Sequence, residues 1–127
     1  MKLNFMQVTE MLLAFEELKE TKMPFKLSLI LAKNISMLKN EEAFFIERER
    51  EFATKYLAVD DSGKFIQQSD NSFKIKDNLI EECIEARKEL NNFEVEVSLR
   101  MIPVELIENM EFTPKQLAAL EMLIEEE

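Results

Sequence analysis

The stretch FKLSLILAKNISMLKNEEAFFIEREREFATKY, residues 25 to 56, is the longest unbroken helical pattern in the chain, and its reading decides the fold. Leu31, Leu38, Phe45 and Phe52 recur at seven-residue spacing, with Leu27 before them and Ile30, Ile35, Phe44 and Tyr56 beside them. A repeat of seven suggests a coiled-coil seam. The parallel line Ile35, Glu42, Glu49 and Tyr56 puts acids where a seam needs apolar residues, so a long helix packed inside one domain is expected instead of a sustained two-stranded coil. At about 1.5 Å per residue such a helix measures roughly 50 Å. A single domain of 127 residues has a radius of gyration of about 14 Å. The distal half of the helix is therefore expected to meet either the segment after Tyr56 or a second copy of the chain.

Upstream, two readings stay open. Asn4 with Gln7 fits a capping box and Leu3 with Val8 its hydrophobic staple, while Leu3 and Phe5 alternating with Lys2 and Asn4 fit a short strand before a helix capped at Thr9. Either way a helix is expected to about Glu20, because Val8, Met11, Leu12, Phe15 and Leu18 form one apolar stripe. Pro24 disfavours helical geometry at Met23 and is tolerated near a helix start. The short connection Thr21-Lys22-Met23-Pro24 implies that the first two helices are antiparallel neighbours.

Downstream, Asp60-Asp61-Ser62-Gly63 and Ser69-Asp70-Asn71-Ser72 read as turns between short extended pieces, the first as a hairpin. Asp77 or Asn78 is placed to cap a third helix from Leu79 to about Leu90, which the pair Asn91-Asn92 ends. Phe93, Val95, Val97, Leu99 and Met101 then alternate with Glu94, Glu96, Ser98 and Arg100, predicting a half-buried strand that Pro103 limits. Residues 104 to 110 read as irregular or as a second short strand. The last helix has the firmest start: Thr113 as cap, Pro114 at the first position, Gln116 closing a capping box and Phe112 stapled to Leu117. Its core face is expected to be Leu117, Leu120 and Ile124, with Glu121, Glu125, Glu126 and Glu127 crowding its end against the helix dipole. No internal repeat or low-complexity linker is read. The sum is a predominantly helical α+β fold of one domain, 1–127: a helical hairpin with a long central helix, a small antiparallel β element and a C-terminal helix.

Composition excludes much chemistry. There is no His, so the commonest general base and metal ligand are both missing, and a single Gly63 cannot build a phosphate-cradling loop. Asp60-Asp61 beside Gly63 does not meet the calcium-loop pattern and reads as turn-forming aspartate. The lone Cys83 falls on an apolar helical stripe with Leu79, Ala86 and Leu90 and reads as core. Glu47 with Arg50 and Glu51 with Lys55 read as ordinary helix-surface pairs. No run reaches the roughly 18 apolar residues that span a bilayer. No catalytic residue, metal site or cofactor is expected.

The net charge of −10 is not evenly spread. Residues 77 to 127 hold four basic residues, Arg87, Lys88, Arg100 and Lys115, against fourteen acidic ones, while the chain before them is neutral. With a pI of about 4.6 and no Lys/Arg cluster, direct nucleic-acid binding is not expected. A negative surface meeting a basic groove is the converse possibility. Its candidate partner-binding residues are Glu81, Glu82, Glu85, Glu89, Glu94, Glu96, Glu105 and Glu108, with Glu111 and the terminal glutamates near them. Ordinary solvation of an acidic surface is the competing explanation.

Several stretches together resemble a domain-of-unknown-function family of small proteins from phages and prophages of Firmicutes. They are Met23-Pro24-Phe25-Lys26-Leu27-Ser28 with Ala32-Lys33-Asn34, Lys55-Tyr56 followed by Asp60-Asp61-Ser62-Gly63-Lys64, Phe93-Glu94-Val95-Glu96-Val97, and Phe112-Thr113-Pro114-Lys115-Gln116-Leu117 through Ala119-Leu120-Glu121. The resemblance covers nearly the whole chain and implies a phage origin, with no activity and no functional residue attached.

The leading expectation is a phage-encoded, non-enzymatic protein-binding protein. It would be a host-directed effector or counter-defence inhibitor, in the cytoplasm of the infected host cell, using its acidic C-terminal part against a host defence protein. The alternative is a virion or assembly component, a homo-oligomer formed through the long helix with a phage assembly protein as partner. A carboxylate-metal hydrolase built on Asp60 and Asp61 is a third class. No membrane association is expected.

Overall fold

The structure, a computed structural model, describes residues 1–125; Glu126 and Glu127, expected at the end of the last helix, lie outside the described residues. It is predominantly helical α+β, as the periodicities imply. In chain order it comprises β1 (Lys2–Leu3), α1 (Phe5–Leu18), α2 (Phe25–Tyr56), α3 (Ile80–Asn92), β2 (Val95–Glu96), β3 (Ile102–Pro103), α4 (Pro114–Leu120) and β4 (Ile124–Glu125). The chain clusters into two compact units: Met1–Ala43 with Glu94–Glu127, and Phe44–Phe93. Helix α2 runs unbroken through the boundary at Ala43 and Phe44 and contributes to both.

In the first unit, both N-terminal readings hold in part. Lys2–Leu3 is a strand, antiparallel to Val95–Glu96, and α1 begins directly after it. Asn4 Oδ1 accepts from Gln7 N at 2.9 Å and Gln7 Oε1 accepts from Asn4 N at 2.9 Å, so the cap falls at Asn4 and not at Thr9. The α1 stripe buries Val8, Met11, Ala14, Phe15 and Leu18. Leu18 shares a lining with Leu27 and Leu31, and Thr9 and Leu12 share one with Lys39 and Glu42, the order of an antiparallel helix pair. Asn34 on α2 is fully buried. Its Nδ2 donates to the Arg100 carbonyl at 3.0 Å, and its Oδ1 accepts from Arg100 N at 2.8 Å.

The cleanest alternation in the sequence yields only a two-residue strand. Val95 and Glu96 find Leu3 and Lys2 as partners, and Val97 N donates to the Met1 carbonyl at 2.8 Å. A strand exists only as far as another backbone pairs with it, so residues 98–101 stay extended in pattern and unassigned in structure. Residues 104–106 form a 3-10 turn. Helix α4 starts as expected, with Thr113 Oγ1 accepting from Gln116 N at 3.1 Å, Gln116 Oε1 accepting from Thr113 N at 3.0 Å, and Pro114 at the first position. It ends earlier than expected. After Leu120 a 3-10 turn leads into β4, so Ile124 belongs to a strand parallel to β3 and not to the helix. The acids there disfavour a further helical turn.

The second unit answers what the distal half of α2 meets. Phe45 and Tyr56 belong to it and are buried, with the Phe93 ring 6.4 Å from that of Phe45 and Lys76 N donating to the Tyr56 carbonyl at 2.9 Å. Residues 57–76 form a closed ring of three extended segments. Leu57 bridges Ile75, Val59 bridges Phe65 and Gln67 bridges Phe73, so each segment pairs with both others. Around the ring Ile66 N donates to Ala58 O at 3.1 Å, Lys74 N to Ile66 O at 2.8 Å and Ala58 N to Lys74 O at 2.8 Å. A second set repeats the threefold pattern: Asp60 N to Lys64 O at 2.8 Å, Gln68 N to Ser72 O at 2.7 Å and Lys76 N to Tyr56 O at 2.9 Å. Within each set the donors and the acceptors step by eight residues, and one bond closes the ring. The chain thus contains a short internal repeat that its side chains conceal, since Leu57, Phe65 and Phe73 correspond while the turn residues differ.

The two loops follow the same offset. Gly63 and Asn71 both have positive φ, 84° and 68°, and each closes a three-residue hairpin loop in the left-handed conformation that only Gly and Asn adopt readily. Residues 77–79 then form a 3-10 turn, and α3 follows without a side-chain cap. Neither Asp77 nor Asn78 serves as the cap, because both are part of the 3-10 turn and Leu79 stands at the N-cap position of α3. The helix also runs two residues past Leu90, through Asn92, where the paired asparagines were expected to stop it.

Candidate partner-binding face

Helix α3 places four of the eight candidate glutamates. Glu81 and Glu82 lie in its first turn, where the helix dipole favours acids. At 100° per residue, Glu81, Glu85, Glu89 and Glu82 fall on one arc, and Cys83, Ala86 and Leu90 fall on the other side. Cys83 is buried and Ala86 and Leu90 are half-buried, so the acidic arc faces water because the opposite stripe faces the core.

Side chains from α2 fix that orientation. Arg87 donates from both terminal nitrogens to Glu49 Oε1 and Oε2, each at 2.8 Å, and its guanidinium lies 4.0 Å from the centroid of the Phe52 ring. The hydrogen bonds to Glu49 hold the Arg87 pKa above its ordinary value. Lys55 lies 3.7 Å from Glu82, not against Glu51 as the helix spacing suggested; Glu51 instead meets Arg48 at 3.2 Å. At the far end of α3, Phe93 joins Phe44 and Phe45, with ring centroids 5.9 and 6.4 Å away. Along this side α2 and α3 bound a groove of about 490 Å³, lined by Phe44, Phe52, Ala86, Glu89, Leu90 and Phe93 among others. Sequence reading missed the groove. It placed Phe93 on a strand, whereas the helix runs through Asn92 and Phe93 caps its end, so that Glu89 and Phe93 line the same groove.

The other four glutamates belong to the first unit. Glu94 precedes β2, Glu96 lies on it, Glu105 sits in the 3-10 turn and Glu108 in the turn after it. Glu96 is already engaged: its Oε1 accepts from the N-terminal ammonium at 2.7 Å, which lowers its pKa below the usual carboxylate value. All eight candidates are exposed. The structure brings four of them onto one helix face and leaves the rest on separate turns and strands of the other unit.

Asp60 is a turn residue by its contacts. Its Oδ1 accepts from Ser62 Oγ at 2.7 Å, Ser62 N at 2.9 Å and Lys64 N at 3.1 Å, and Asp70 accepts the same way from Ser72. Among the described residues, no three or more His, Cys, Asp or Glu side chains are grouped so as to hold a metal ion. No helix of the described residues is long and apolar enough to cross a membrane. No family model, curated protein or solved structure matches the chain.

Proposed function

We propose that the protein acts by binding another protein through its acidic surface, as a phage-encoded, host-directed effector or counter-defence inhibitor in the host cytoplasm. The reading carries no catalysis and no cofactor. The observation that supports it most is the disposition of the glutamates: all eight are exposed, and four share one arc of α3. The partner is then a protein with a basic, nucleic-acid-binding surface, which the glutamates meet as phosphates would. The phage origin rests on the sequence resemblance alone.

The test is competition and salt. Capture of a nucleic-acid-binding host protein by the full chain is expected to fall at least about tenfold between roughly 0.05 and 0.3 M salt, and to be displaced by duplex DNA. Joint replacement of Glu81, Glu85 and Glu89 by Gln removes it. Capture indifferent to salt and to these replacements sinks the reading.

An assembly component that oligomerises through α2 is the second reading. Phe25, Leu29, Phe44 and Ile46 are its large exposed apolar side chains, and its other large apolar residues are buried or half-buried within the chain. Light scattering that shows a monomer at high concentration excludes this one.

A further inference from the structure

We propose that the groove between α2 and α3 seats an arginine side chain of the basic partner, its guanidinium stacked on the Phe93 ring and its charge met by Glu89. The inference rests on the acidic-surface reading above and adds an anchor point to it.

Charge complementarity selects the occupant. Four charged residues line the groove. Arg48 is paired with Glu51 at 3.2 Å, and Lys55 with Glu82 at 3.7 Å on the rim. Among the described residues no ion pair holds Glu89, so once the internal pairs cancel a single carboxylate sets the sign of the groove. Phe93, the residue that ends α3, is 47% exposed, and it lines the groove together with Glu89. Arg48 lies 5.1 Å from the Phe44 centroid, so that ring already carries a cation and Phe93 is the face that remains open to one.

The same unit shows the chemistry internally. Arg87 lies on Phe52 while both of its terminal nitrogens donate to Glu49, so a phenylalanine and a glutamate together hold one guanidinium. Phe93 and Glu89 offer that pair of groups outward. A guanidinium suits them better than an ammonium, because it is planar, weakly hydrated and able to stack while still donating from its edge.

The experiment uses the isotope-labelled full chain and two synthetic peptides of equal length and charge, glycine alternating with arginine and glycine alternating with lysine. The arginine peptide is expected to move the resonances of Glu89, Phe93 and Phe44 most, and to bind about threefold more tightly than the lysine peptide. Glu89→Gln, an exposed change that the fold tolerates, weakens the arginine peptide about fivefold. Phe93→Leu keeps the apolar bulk and abolishes the difference between the two peptides. If the arginine peptide binds and shifts Glu94, Glu105 and Glu108 while Glu89 and Phe93 stay unmoved, the groove is wrong and the acidic-surface reading survives. If neither peptide binds even at low salt, both fall.

Discussion

Asn34, itself fully buried, holds the backbone of Arg100 from both sides, donating to its carbonyl and accepting from its amide. Truncation to Ala leaves both backbone groups of Arg100 without their partner at a part-buried position, and an unsatisfied group shielded from water costs more than the net gain of one hydrogen bond. Asn34→Ala is therefore expected to lose about 2 to 4 kcal/mol of stability by urea denaturation; a loss below about 0.5 kcal/mol shows that the pairing is not formed. The turn aspartates make a different prediction. The Ser62 hydroxyl and then the Lys64 amide lower the Asp60 pKa, and the Ser72 hydroxyl and then its amide lower that of Asp70. A carboxyl depressed on folding contributes stability that is complete above its unfolded value, about 3.9 for aspartate, and that is lost as pH falls through the folded value. Carboxyl resonances of both residues should titrate below the ordinary aspartate range, and Ser62→Ala should bring Asp60 back toward it.

At the scale of elements, the ring of residues 57–76 makes Gly63 and Asn71 equivalent. A Cβ at Gly63 meets nothing within 4 Å, so only the left-handed φ restricts that position. Gly63→Asn is expected to cost less than about 1 kcal/mol and the β-branched Gly63→Val about 1 to 2 kcal/mol more than that. Equal urea midpoints for the two variants would show that the loop has another conformation. The turns, the α4 capping box and the whole of α2 were legible because local chemistry decides each: a cap residue, a positive-φ residue, an unbroken stripe. What was not legible depends on residues far apart in sequence. The length of β2 is set by how much of residues 1–3 lies beside it, the end of α4 by the strand Ile102–Pro103, and the ring by three segments that share geometry but not side chains. Of the candidate site, the exposure of the glutamates followed from composition and period. The neighbourhood of Glu89 and Phe93 did not, because it depended on α3 continuing through two asparagines that ordinarily favour a break.

Across the whole chain, the two units differ in how much they bury. The second spans residues 44–93 and, among the described residues, holds the buried Phe45, Tyr56 and Cys83, while most of the buried core belongs to the first. Apolar burial sets the cost of local opening, so hydrogen exchange should separate the two. Amides of Ala58, Ile66 and Lys74, although bonded around the ring, are expected to exchange at least about tenfold faster than those of residues 27–38 of α2. Equal protection in the two regions overturns this expectation.

The ring also bears on how this chain meets others. An open sheet ends in strands whose unpaired amides and carbonyls can template a neighbouring chain, the usual route to strand addition and aggregation. Here the last segment pairs with the first as well as with the middle one, so the array has no outer strand. Val59, Phe65 and Phe73 are exposed on it, which on an open sheet would invite polymerisation. Closure denies them a backbone edge, and whatever docks there must do so by side-chain packing alone.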